Sequence, residues 1–161
     1  QNRKRKEFIM ILKQTEASAI SELQTQEKNC IEKYRRYKEQ AKDPVLKDLF
    51  GQLETLEQKH YDALGQVLNG QVPSCDCNDS SGRDYEPKAT YSANDQGEDK
   101  KFDNFLATDC IGTEKLVSSE YNSDVFRFSE APVRKLLADI QVEEQNHAEM
   151  LYKYRTVNGM A

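Results

Sequence analysis

The chain has two histidines, and each stands three residues after a glutamate: Glu57-Gln-Lys-His60 and Glu144-Gln-Asn-His147. Residues three apart share one face of an α-helix. Each motif can therefore aim a carboxylate and an imidazole at the same point. The motifs lie 87 residues apart, and the same offset relates Glu27 to Glu114 and Tyr34 to Tyr121. It also carries Leu46, Leu49 and Leu53 onto Val133, Leu136 and Ile140 without a gap. The spacing predicts a duplicated unit.

Each unit reads as a helical hairpin. Apolar residues recur every three or four positions, as on one face of a helix. The first stripe comprises Ile9, Leu12, Ile20, Leu23, Cys30, Tyr34 and Tyr37, and the second runs from Leu46 to Val67. The third runs from Phe102 to Tyr121 and the fourth from Val133 to Tyr154. Breaks are expected at Asp43-Pro44 and Ala131-Pro132, because proline disfavours helix in the residue before it and can open the next helix. Hairpin one is placed at residues 6–69 and hairpin two at 99–157. The stretch 70–98 is rich in Gly, Ser, Asn, Asp and Pro and reads as a loop. It is long for a helix connection. The expected fold is all-α: one domain over residues 1–161, a four-helix bundle of two hairpins with the long loop crossing over between them.

Composition agrees. Of 161 residues, 32% are charged and 37% hydrophobic, with no Trp, as in long solvated helices. The net charge of −5 argues against nucleic acid as a partner, since phosphate binding needs surplus Lys and Arg. Arg3-Lys4-Arg5-Lys6 is too short a run to change that. No window approaches the roughly 18 apolar residues of a membrane span, and no signal peptide is visible.

Charged groups on a core stripe are costly unless paired or metal-bound. Glu27 lies between Leu23 and Cys30, and Glu114 between Cys110 and Val117. Glu27 and Glu57 bracket the turn at Asp43, and Glu114 and Glu144 bracket the turn at Glu130. Antiparallel folding then brings each set to one level. One Glu from each of two helices and Glu-x-x-His from each of the other two is the ligand set of di-iron and di-manganese bundles. The expected ligands are Glu27, Glu57, His60, Glu114, Glu144 and His147, holding two Fe or two Mn ions per chain. The expected chemistry is oxidation of Fe(II) or reaction with O₂ or peroxide, which would make the chain an oxidase, ferroxidase or peroxidase-like protein.

Tyr34 and Tyr121 each follow a ligand Glu by seven residues. They read either as core aromatics or as hydroxyls that orient a carboxylate or are oxidised in turnover. Glu16 reads as structural or as part of a metal path. Cys30 and Cys110 are expected on the same side of the metal layer, as a redox pair or as two small core residues. Cys75-Asp76-Cys77 lies in the loop, and its spacing does not suit a zinc ribbon. A redox switch, an inter-chain crosslink and two exposed thiols all remain open there.

The six ligands resemble the pattern of ferritins and rubrerythrins, which implies a ferritin-like fold and a di-iron site. Val117 stands where rubrerythrins carry an extra carboxylate, and no rubredoxin domain is present. The second half, TEKLVSSEYNSDVFRFSEAPVRKLLADIQVEEQNHAEMLYKYRTVNGM, is similar to the coat F family of spore-forming Firmicutes. That resemblance covers roughly residues 100–160 and includes Asn158-Gly159-Met160. It implies a sporulation context, with a place in the cytoplasm or the spore coat and coat proteins or a second copy as partners. It also implies a second function: a structural coat protein with a ferritin-like fold and little or no catalysis.

Overall fold

Prolines and acidic side chains mark the starts of three of the long helices. The structure, a computed structural model, describes residues 9–74 and 79–161. It holds five α-helices, α1 (Gln14–Gln40), α2 (Pro44–Leu68), α3 (Ser81–Asp84), α4 (Glu98–Asp124) and α5 (Ala131–Val157), and a 3₁₀ turn at Val125–Arg127. No strand occurs among the described residues. Asp43 caps α2 by accepting the Val45 N–H at 3.0 Å, with Pro44 in the first turn. Pro132 lies in the first turn of α5. A cap of this kind contributes about 1 kcal/mol.

Hairpin one begins later than the apolar spacing predicts. Residues 9–13 are not helical, and α1 starts at Gln14. The Glu16 carboxylate accepts the Lys13 N–H at 3.0 Å and so closes the helix N-terminus there. Upstream, Met10 N–H donates to the Gly70 carbonyl at 3.0 Å, which ties the extended lead-in to the end of α2. Gly70 has φ +84°, and a Cβ there would lie 2.6 Å from Ile9 Cγ2, so only glycine fits. Ile9 is largely exposed rather than part of the core stripe. Glu16 also accepts from Ser129 N–H at 3.4 Å, a structural link to the turn before α5. The basic run at residues 3–6 lies outside the described residues.

α1 and α2 pack as an antiparallel hairpin, bridged by Lys38–Glu54 and by Gln24 Nε2 donating to the Tyr61 carbonyl. α4 and α5 do the same, with Gln141–Ser118 and Arg155–Asn104 contacts. α1 runs antiparallel to α4, since Lys33 meets Asp109 while Tyr121 meets Glu27. α2 and α4 therefore point the same way, and the intervening chain must travel the length of the molecule. Its described residues from Asp79 to Tyr91 lie along α5. Gly82 N–H donates to Asn146 Oδ1 at 2.8 Å, and Thr90 and Tyr91 N–H donate to Asn158 Oδ1 at 2.9 Å.

The apolar faces form two buried clusters. One contains Ile20, Leu23, Leu64, Tyr121, Val133 and Ile140; the other contains Leu49, Phe50, Leu53, Leu106, Leu151 and Tyr154. Each fully buried Leu, Ile or Phe contributes about 1.5–3 kcal/mol relative to exposure. A polar layer lies between them.

Candidate metal centre

Three residues from each hairpin meet in that layer. α1 contributes Glu27, α2 Glu57 and His60, α4 Glu114, and α5 Glu144 and His147. None is more than 3% exposed. Their donor atoms fall into two overlapping groups. Glu27, Glu57, His60 and Glu144 offer atoms within 4.8 Å of one another, and so do Glu57, Glu114, Glu144 and His147. Glu57 and Glu144 belong to both groups, whereas each group has its own Glu and its own His. The two imidazoles are nearly parallel, 5.7 Å apart at 13°. Both turn Nδ1 inward: His60 Nδ1 lies 2.8 Å from Glu144, and His147 Nδ1 lies 2.7 Å from Glu57 and 3.4 Å from Glu114.

The layer is short of hydrogen bonds. Among the described residues, the buried side-chain N and O atoms without a partner are Glu27 Oε2, Glu57 Oε2, His60 Nδ1, Glu114 Oε2 and both Glu144 oxygens. All belong to these six residues. Although 2.8 Å apart, His60 Nδ1 and Glu144 Oε1 are not aligned for a hydrogen bond. An unsatisfied buried polar group costs about 1–3 kcal/mol, and more if charged. A donor set of carboxylates and imidazoles aimed at common points fits divalent Fe or Mn.

Protons offset the crowded carboxylates. Burial and the neighbouring Glu57 carboxylate push Glu27 well above the usual carboxylate range. Burial and Glu114 do the same to Glu144. Burial also opposes charge on Glu57, but hydrogen bonding with Glu27 and the His147 charge hold it well below that range. Burial disfavours the imidazolium of His147, yet Glu114 and Glu57 outweigh it and raise the group to about 10. His60 is raised well above its ordinary value by Glu143 and Glu144 against the same burial.

The tyrosines reach across between hairpins. The Tyr34 hydroxyl on α1 donates to Glu114 on α4, and the Tyr121 hydroxyl on α4 donates to Glu27 on α1 at 2.5 Å. Each fixes the carboxylate that belongs to only one group. Burial and those carboxylates raise both phenols well above their ordinary values, so they stay protonated donors. Val117 is buried among apolar side chains.

The sequence reading missed Glu143, whose carboxylate meets His60 Nε2 on the outer side of the ring. It sits beside Glu144 but off the stripe, so in sequence it resembles surface charge. The two buried cysteines do not pair. Both are free thiols in different clusters, Cys30 with Leu23 and Cys110 with Leu53. The register pairs position 34 with 114 and 27 with 121, which puts Cys30 level with Ser118 rather than with Cys110. Burial raises both thiols, and the nearby carboxylates add to this at Cys30, so neither is a ready nucleophile. Cys75 and Cys77 lie outside the described residues.

Residues 103–161, covering most of α4 and all of α5, match the Coat F domain model. The matched residues include Glu114, Glu144 and His147 but not Glu27, Glu57 or His60. No curated protein and no solved structure matches the chain. Among the described residues, no helix is long and apolar enough to cross a membrane.

Proposed function

We propose that the chain is a spore-coat protein built as a single ferritin-like domain over residues 1–161, with two duplicated hairpins around two divalent metal ions, iron or manganese. The coat assignment rests on the Coat F match over hairpin two. The metal assignment rests on one observation above all: the partnerless buried atoms all fall on the six residues whose donor atoms converge.

Glu27 and His60 would hold one ion and Glu114 and His147 the other, with Glu57 and Glu144 placed in both donor groups. Bound there, two iron or manganese ions supply Lewis acidity and one-electron exchange with O₂ or peroxide. Tyr34 and Tyr121 keep the unshared glutamates aimed inward, and the two apolar clusters exclude bulk water from either end. Because the converging residues come from all four long helices, bound metal would fasten the two hairpins together. That is the structural reading, and coat proteins or a second copy are its partners.

The redox reading has its own support. Two protonated phenols contact ligand carboxylates directly, where they are placed to donate an electron and a proton. Anaerobic Fe(II) loading followed by O₂ exposure separates the two readings. Two irons per chain with O₂ consumption establishes the oxidase. Two irons with no consumption leaves the structural role, and less than one metal per chain overturns the metal assignment.

A further inference from the structure

The two metal positions look equivalent when only the ligands are compared. Each has a private Glu, a private His and two shared carboxylates. The surroundings of the histidines break that equivalence. On the outer edge of His60, Nε2 faces the Glu143 carboxylate, which is itself partly buried, with its side chain 21% exposed. The residue 87 positions earlier is Leu56, a partly buried apolar side chain packed against the core. Among the described residues, no carboxylate lies on the outer nitrogen of His147, whose acidic contacts are Glu57 and Glu114 on Nδ1.

We infer that Glu143 is a positioning residue that makes the two metal positions unequal, so that the Glu27–His60 position binds its ion first and more tightly. The inference rests on the metal reading above. Its logic follows from the two ring nitrogens. A carboxylate on Nε2 holds the ring proton on that side, which leaves the Nδ1 lone pair for a cation on the inner side. It also fixes the plane of the ring and adds negative charge behind it, which makes Nδ1 the better donor. His60 Nδ1 is one of the buried atoms without a partner, as a donor held in readiness should be. Among the described residues, no carboxylate gives His147 that support.

Titration of the metal-free protein with Co(II), followed by its visible absorption, tests the inference. The unaltered chain is expected to bind two ions in resolved steps whose dissociation constants differ by about tenfold or more. Glu143→Leu, which reproduces the residue at the matching position, should weaken the tighter step by about 10- to 100-fold and leave the other in place. Glu143→Asp should restore most of the loss. The weakening should persist in a Glu114→Ala background, where the Glu27–His60 position is the one left intact, and vanish in a Glu27→Ala background. Circular dichroism melts of each metal-free variant verify that it folds, and a purely structural role for Glu143 would lower the melt without separating the two steps. Equal steps in the unaltered protein, or equal weakening of both steps in Glu143→Leu, overturn this inference alone. Less than one Co(II) per chain overturns the metal reading and this inference with it.

Discussion

Two polar regions are buried in this molecule, and they are built on opposite terms. At the end where α1 turns into α2, Asp103 is fully buried, yet it accepts Lys42 N–H and Asp43 N–H at 2.9 Å and the Tyr91 hydroxyl at 2.6 Å. Asn158, also fully buried, accepts from Thr90 and Tyr91 and donates to the Tyr154 carbonyl. Asp43 accepts from Thr90 and Tyr154. Every acid there has protein donors. In the central layer the carboxylates crowd one another and leave oxygens without donors. Burial alone does not mark a binding site. Burial with the hydrogen bonds left unmade is the stronger sign, because native chains rarely tolerate such atoms.

The sharpest way to break this comparison is to remove a shared carboxylate. Glu57→Ala and Glu144→Ala should each lose both metals, whereas Glu27→Ala should keep one; metal analysis of purified variants reads the difference. A full equivalent retained in Glu57→Ala would show that the two groups do not share it. Next in size, filling two sites at about 100 times their dissociation constants should stabilise the fold by about 5 kcal/mol. For a chain of this length that is a rise in Tm of roughly 10–20 °C. Scanning calorimetry with and without Mn(II) measures it, and Glu144→Ala should show none of it.

The other region should behave in reverse. Asp103→Ala strands two backbone N–H groups and a hydroxyl and should cost about 2–4 kcal/mol, with two metals still bound. Loss of metal in that variant would mean that the regions are not independent. A smaller, graded effect concerns pH. His147 is raised from 6.5 to about 10, so its contribution is complete below pH 6.5 and lost as pH rises towards 10. Glu27 and Glu144, also raised, lose theirs in the same direction, while Glu57 acts oppositely on the acid side. The metal-free protein should therefore melt lower at pH 9 than at pH 6.5. Metal affinity should rise over the same range, because the protons must leave before the ions bind. Calorimetric titration in buffers of different ionisation enthalpy would count the released protons. The smallest effect belongs to Tyr34→Phe, about 1 kcal/mol of stability with metal content unchanged.

The convergence of Glu27, Glu57, His60, Glu114, Glu144 and His147 was legible in the chain because a repeat offset and a helical period both pointed to it. Two independent regularities rarely coincide on charged residues by chance. Glu143 was not legible, since it sits one residue off the stripe and its counterpart is a leucine. Asp103 and Asn158 carry no periodic signal, because their partners are backbone groups in turns whose geometry exists only after folding. The start of α1 was misplaced for a related reason. Ile9 and Leu12 imitate helical spacing, but a local hydrogen bond from Lys13 to Glu16 ends the helix first. The supposed pairing of Cys30 with Cys110 counted residues from the ligands on each helix and missed the register between helices, which the tyrosine contacts fix.

The described stretch from Asp79 to Tyr91, laid along α5, also says something about the order of events during folding. Contacts within each hairpin are local and close quickly, whereas contacts between hairpins wait for a long segment to be laid down. Each hairpin carries three of the six converging residues, so neither can assemble a complete donor group alone. The centre comes into being only at the docking step. A metal whose colour depends on a full ligand set would then serve as a clock for that last step, silent while the hairpins form and visible when they meet.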